Sequence, residues 1–418
     1  MRRLFLAFTL LLSAGLAPAV ADASQGLCLP PAAATTCDVT TGKVTYVSDG
    51  DTFWVDLNGD NSRKTYSVRV TGINAMEQTV YSRYPSRRRG ECHALEATAA
   101  LEHLLGRAKW KVRLAAQAAV AHSNTRLRRS VQVKVRGRWI DVGRRMMAEG
   151  HAIWLPNYKE NAWNAEYART GEWAASLGRG IWNPTYCGVG PNDESPLKVT
   201  VNSDSRAAGG EWVKVRNLDS VNTVPLAGWS LRDSLTRYAF PEWAVLPPGE
   251  SLTVYVLEGE DTFTELFWGR QNTLFDNPGK NGMGDGAYLF DPQGDLRAYM
   301  TYPCTRNCAD PYAGAVDISA KPTGNEYVTV TNIAAFPVDL EGYQLQSPPF
   351  AYAFPRDSVL QPGESMRIDV VGDPGADTRL QKSWGETGRI LNDGADKVRI
   401  SNFRGQVLDC VTWGRGKC

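Results

Sequence analysis

An internal repeat constrains this chain more than any single motif. GEWVKVRN at 210–217 returns as NEYVTVTN at 325–332, and VPLAGWSL at 224–231 returns as VDLEGYQL at 338–345. YAFPEWAVLPPGESLTVYV at 238–256 returns as YAFPRDSVLQPGESMRIDV at 352–370, and a Trp-Gly pair recurs at 268 and 384. The offset stays at 114 to 116 residues throughout. Self-similarity of that kind means two copies of one structural unit. Short runs of alternating hydrophobicity between Pro and Gly turns make each copy a β-sandwich. Roughly the first half of the chain must therefore be something else.

That half opens on MRRLFLAFTLLLSAGLAPAVADA, where Arg2 and Arg3 precede an apolar run and small residues surround Ala19 to Ala21. The pattern is a secretory signal peptide over 1–23, too short to span a bilayer. The mature product is expected to be secreted or periplasmic, with no transmembrane anchor. All eight cysteines lie beyond that segment, four before residue 190 and four after 300. An even count in an exported chain predicts disulfides, paired within each half. A zinc site from Cys304, Cys308 and two C-terminal thiols is the alternative, which export and spacing disfavour.

Net charge is +1 for the whole chain, but 43–182 holds 23 Lys+Arg against 13 Asp+Glu. That region carries about +10 and leaves the rest acidic, so the basic part is the one suited to a polyanion. After the Cys-flanked segment 24–42, strand alternation runs through KVTYV, TFWVDL and RKTYSVRVTGI. The middle pair is joined by a hairpin turn, NGDNS. The spacing of Asp56, Asn58 and Asp60 imitates a calcium loop but lacks its glycine and closing Glu, which leaves a plain turn. A helix follows with Leu95, Ala99, Leu101 and Leu105 on one stripe and Gly106 as its cap. Two more strands come next. A short helix N-capped by Asp141 follows, then a last helix with Trp163, Tyr167, Thr170, Trp173 and Leu177 inward. The expected domains are 43–187, 188–305 and 306–418.

In the first of these, YVSDGDTFWV crowds Asp49 and Asp51 around Gly50. Farther on come Arg69, the run Asn74-Ala75-Met76-Glu77, and Arg126, Arg128 and Arg129 at the head of a strand. Acids, an amide oxygen and arginines are what phosphodiester hydrolysis needs: oxygens for a hard cation, a carboxylate for water, guanidinium groups for the developing charge. His93, His103, His122 and His151 form no catalytic or metal-binding pattern.

These residues, with Ile181-Trp182 closing the last helix, resemble the staphylococcal-type nucleases over about 43–183. The resemblance implies a five-stranded OB barrel with three helices. It also implies Ca²⁺ held by Asp51, Asn74 and the Ala75 carbonyl. Glu77 would serve the attacking water, and Arg69 and Arg128 the phosphate. Arg128 keeps Val131 and Val133 on the core face, with Arg129 as its rival. Asn74 stands where that family often has Asp, and Met76 where it has Pro. Asp49, Arg129, Trp154 and Tyr158 are further candidates for contact with nucleic acid. RYPSRRRG before the first helix reads equally as a phosphate rail or a solvated loop.

The repeats, through L-x-GW-x-L and Y-x-FP-x₄-L-x-PGE, closely resemble lamin-tail domains, immunoglobulin-like sandwiches. The fold class expected is thus mainly β and multidomain. The function expected is Ca²⁺-dependent hydrolysis of DNA or RNA, with the sandwiches for targeting. The alternative is a nucleic-acid-binding or surface protein with little or no turnover. A third reading makes the sandwiches carbohydrate binders with Trp212, Trp229, Trp243 and Tyr343 as platforms.

Overall fold

The computed structural model describes residues 24–34, 36–117, 122–123, 125–190, 195–205, 209–278, 283–305, 310, 312–355, 358–402 and 406–418. The segment 1–23 expected to be a signal peptide, and Cys308, lie outside the described residues.

Five strands close a barrel: β1 (Thr36–Val47), β2 (Thr52–Leu57), β3 (Thr65–Val70), β4 (Lys111–Ala116) and β5 (Arg126–Val135). The order is β1-β2-β3-β5-β4 and back to β1, with β3 and β5 parallel and the other pairs antiparallel. This is the Greek-key closure of an OB fold. Alternation aims Phe53, Val55, Val68, Val70, Leu114, Val131 and Val133 inward, each at 1% exposure or less. Burying each such side chain contributes about 1.5–3 kcal/mol. A short strand, Ser24–Leu27, pairs with the start of β1.

Helix α1 (Ala94–Arg107) covers one barrel end, but its buried stripe is Ala94, Ala97, Thr98, Leu101, Leu104 and Leu105. Leu95 and Ala99 face solvent, a phase error in the expected stripe. Both phases fit a 3.6-residue period, and the helix's first turns approach the barrel end closely enough there that Ala94, Ala97 and Thr98, rather than Leu95, face it, with Leu101, Leu104 and Leu105 continuing the stripe. Gly106 lies inside the helix rather than capping it, and left-handed Lys109 and Trp110 turn the chain out. Helix α2 (Val142–Ala148) is N-capped as expected: Asp141 accepts from the Arg144 N–H at 2.8 Å. Asp141 also accepts from the Tyr167 hydroxyl at 2.5 Å and from Ser130 at 3.1 Å. Asp141→Ala loses the cap and strands a fully buried tyrosine hydroxyl. The expected cost is about 2–4 kcal/mol, read in thermal melts, with Asp141→Asn retaining most of it. In α3 (Asn164–Ser176), Tyr167 and Thr170 are buried behind Trp163, whereas Leu177 is 51% exposed beyond the last turn.

Each repeat is a sandwich of two four-stranded sheets with the same topology. In the first copy, Leu197–Asn202, Trp212–Asn217, Ser251–Leu257 and Glu265–Arg270 face a sheet of Arg237–Ala239, Ser230–Arg232, Asp285–Phe290 and Leu296–Tyr302. The second copy reproduces it from Val316–Lys321 through Val407–Trp413. The repeated octets carry polar fixtures as well as core. Buried Glu211 accepts from the backbone N–H groups of Leu274 and Phe275, and Glu326 from those of Ile390 and Leu391. Asn217 donates to the carbonyls of Asn222 and Leu246, and Asn332 to those of Phe336 and Leu360. These groups satisfy backbone polar groups in loops and at the ends of short ladders. Trp212, Trp229 and Tyr343 are buried in the cores, which removes them as carbohydrate platforms.

Cys28 pairs with Cys37, Cys92 with Cys187 and Cys410 with Cys418, and Cys304 is also disulfide-bonded. The described pairs stay within each half, and the zinc reading falls because its C-terminal thiols bond each other. No helix among the described residues is long and apolar enough to cross a membrane.

The first sandwich packs directly on the barrel domain. Met76, Ala94, Ile153, Ala174, Ile181 and Trp182 share one buried cluster with Tyr288, Phe290 and Leu296. Glu172 of α3 accepts from the Thr301 hydroxyl at 3.1 Å and from the Thr305 N–H and hydroxyl at 2.9 and 2.7 Å. Met76 thus makes an apolar contact across this boundary.

Candidate active site

The Asp49–Thr52 turn joins β1 to β2 under α1. A side chain at Gly50 would meet the Cβ atoms of Ala97 and Ala75 at 2.6 and 2.7 Å, so only glycine lets the turn lie against both. The turn presents Asp51, 2% exposed, to three donors. Arg69 Nη2 stands 3.0 Å from Oδ2, the Ala75 N–H donates to Oδ2 at 3.0 Å, and the Thr52 hydroxyl donates to Oδ1 at 2.8 Å. Arg69 lies directly across the ladder from Thr52, which brings its guanidinium to this carboxylate. The same Arg69 Nη2 donates to Asn74 Oδ1. Two oxygens from separate elements therefore converge on one cationic atom.

Asp49 accepts from the Asp51 N–H at 3.2 Å. Burial first, then Asp51 beside it, pushes its carboxyl up to about 7. The two acids are thus told apart by their surroundings: Asp51 is paired with Arg69, and Asp49, raised to about 7, shares its proton with solvent around neutral pH.

Asn74, 1% exposed, is fixed at both ends of its amide, since Nδ2 donates to the Ser234 carbonyl of the first sandwich at 2.8 Å. Ala75 is buried and meets Asp51 through its N–H, whereas its carbonyl is the group expected to matter. Glu77 opens to solvent. Partial desolvation, with Asp51 next, lifts its carboxyl, and Arg69 and Arg232 pull it back. Glu91 clamps its backbone: the Glu77 N–H donates to Glu91 Oε2 at 3.2 Å and the Glu77 carbonyl accepts from the Glu91 N–H at 3.0 Å.

Arg128 is the rung partner of Arg69 in the parallel β3–β5 pair, which puts both on one face. Burial first, then Arg69, lowers its guanidinium pKa. Arg129 is the next residue and alternates to the other face, where Glu160 and Asp38 act on it. Of the two rivals, Arg128 stands beside Arg69. Arg126, two residues earlier and so on the same face, donates to the Thr52 hydroxyl at 3.4 Å. It belongs with the site, and the alternation of β5 is the sequence signal that points to it. Tyr81, half-exposed, is a further neighbour that sequence reasoning missed. Burial, then Asp49, Glu77 and Asp51, raises its hydroxyl pKa.

Trp154 corrects one expectation: at 2% exposure, in a short ladder with Ile73, it is barrel core and offers no face for stacking a base. Tyr158 is 67% exposed and keeps that option. In the basic loop, Arg88 is buried and forks onto Glu102 at 2.6 and 3.1 Å, a structural role, while Arg83, Arg87 and Arg89 remain exposed. In the hairpin turn, Asp60 accepts from Ser62 instead of forming a cation loop. A cleft of about 1050 Å³ between α2 and α3, lined by Trp139, Arg144, Glu166, Arg169 and Trp173, includes none of the predicted site residues.

The model of the Lamin Tail Domain family matches residues 193–304 and 311–415, together more than half of the chain and all of it beyond the barrel. No curated protein matches the chain.

Proposed function

We propose that this chain, which belongs to the lamin-tail domain family, is an exported phosphodiesterase whose barrel hydrolyses DNA or RNA with Ca²⁺ while the sandwiches make interactions. The carrying observation is the convergence of Asp51 and Asn74 oxygens on one cationic atom of Arg69, with Glu77 within electrostatic reach. Two hard oxygen donors from different elements, aimed at one point, suit a hard divalent ion once Arg69 gives up or shares that point. Asp51 and Asn74 would hold it, with the Ala75 carbonyl as the expected third donor. Bound there, the ion supplies Lewis-acid polarisation of a phosphoryl oxygen.

The chain's own groups supply the rest. Glu77, open to solvent, orients the attacking water and takes its proton. Arg69 and Arg128, side by side on β3 and β5, donate to the equatorial oxygens of the ester, where charge grows in the transition state. Arg126 and Tyr81 flank the approach. Purified mature protein is expected to degrade DNA or RNA on a gel with Ca²⁺ and to stop with chelator. Turnover unaffected by chelator would sink the cation role.

A second reading rests on one observation: Asp51, Arg69 and Asn74 are 2, 5 and 1% exposed. A site so covered favours a nucleic-acid-binding barrel without turnover. That reading predicts salt-sensitive binding and no degradation with any divalent ion.

A further inference from the structure

The first sandwich reaches the barrel at the place where the candidate residues meet. Its strand Ser230–Arg232 ends in a turn, 233–236, and the turn's Ser234 carbonyl takes the Asn74 amide. One residue before that turn, Arg232 projects toward the barrel. Its Nη1 lies 3.5 Å from the Met76 sulfur and 3.8 Å from Glu91 Oε2, and Glu77 is among the charges acting on it. Arg237 Nη1 approaches the other oxygen of Glu91 at 3.6 Å.

Arg232 is a poor hydrogen-bonder for a buried cation. It is 7% exposed, and among the described residues its Nε has no hydrogen-bond partner and its nearest carboxylate oxygen is beyond hydrogen-bond range, while the Phe290 ring centroid lies 5.8 Å away. A buried guanidinium so thinly paired costs free energy that packing alone does not repay. Its charge, rather than its hydrogen bonds, is what the site uses. Asp49, Asp51, Glu77 and Glu91 crowd the barrel end, and Arg69 is already bound to Asp51 and Asn74. The repeat offers an internal control: Leu231 and Leu345 occupy equivalent rungs, opposite Leu289 and Ile400, so Gln346 stands where the first copy has Arg232. The fold therefore does not need arginine there.

We infer that Arg232 is a positioning residue lent by the first sandwich to the barrel's site, holding the Glu77–Glu91 pair in place and moderating the negative field around Glu77. The inference rests on the cation-dependent reading above. It makes the first lamin-tail copy a wall of the reactive centre, a role the second copy lacks.

The test uses the full chain with Arg232→Gln, the side chain the second copy carries, measured against wild type. Calorimetric titration with Ca²⁺ alone is expected to show about threefold tighter binding, because a positive charge near the cation is gone. Hydrolysis of DNA is expected to show kcat lowered about tenfold with KM within about twofold. Arg232→Lys, which keeps the charge, is expected to restore both. A merely structural arginine would instead weaken Ca²⁺ binding, and that result, or unchanged values, overturns the inference. Faster hydrolysis by Arg232→Gln also overturns it, since the sandwich would then be an inhibitory cover. The wild-type arm separates the two levels: no Ca²⁺ binding and no turnover there means that the nuclease reading itself has failed.

Discussion

Arg69→Ala is expected to reduce phosphodiester hydrolysis about 10²–10³-fold and to destabilise the barrel at the same time. The activity loss follows from removing a donor aimed where charge develops. The stability loss has a separate origin. Asp51 is 2% exposed, and its ion pair with Arg69 is its only salt bridge among the described residues. Removing one partner of such a buried pair leaves a carboxylate with no opposite charge and only the Ala75 N–H and Thr52 hydroxyl as donors, which costs about 3–5 kcal/mol. For a domain of this size that lowers the barrel's midpoint by roughly 10 °C. Added Ca²⁺ separates the two effects. Wild type must give up the Arg69 contact, or share it, when a cation settles beside Asp51, whereas the variant has nothing to displace. Calcium should therefore raise the midpoint of Arg69→Ala by more than it raises that of wild type, without restoring turnover. Equal shifts in scanning calorimetry would mean that Asp51 and Arg69 do not form the cation site.

That asymmetry explains what could and could not be read from the chain beforehand. Within the barrel, strand alternation was legible because one face of each strand is core, and the repeat was legible because it preserves both core and polar fixtures. Asp51, Arg69 and Asn74 come together through ladder register and a tight turn, both local in sequence. The phase of α1 was not legible, since Leu95 and Leu101 look alike until the barrel end selects the narrow Ala94–Ala97–Thr98–Leu101 face. Trp154 misled for a related reason: an aromatic residue near a site reads as a platform until its burial is known. The contribution of Ser234 and Arg232 was the least legible. Asn74 and Ser234 are 160 residues apart, and nothing local in RDSLTR marks it as facing another domain. Asn74 and Met76, where the resemblance leads to an expectation of Asp and Pro, were its only trace. Asn can donate to a carbonyl as Asp cannot, and Met can pack against Tyr288 and Phe290.

Opening the Cys92–Cys187 bridge is expected to have the largest effect on stability alone. The two residues are 95 apart in sequence and bracket most of the helical layer, including α1, α2 and α3. In the chain-entropy treatment a closed loop of that length confers about 4–5 kcal/mol on the folded state. The bridge also lies where the barrel meets the first sandwich. A side chain at Gly294 would touch Cys92 Cβ at 3.0 Å, and Asp295 accepts from the Tyr186 and Cys187 N–H groups at 2.9 Å. Losing the bridge should therefore loosen the barrel and also its docking, moving the turn at 233–236 away from Asn74. The Cys92→Ser, Cys187→Ser double variant is expected to melt at least about 10 °C below wild type. Hydrogen exchange at the Ala75 and Glu77 amides is expected to quicken ahead of that in the second sandwich, whose own core and Cys410–Cys418 bridge are untouched. A variant that melts lower while those two amides stay protected would confine the bridge to the barrel and separate it from the interdomain contact.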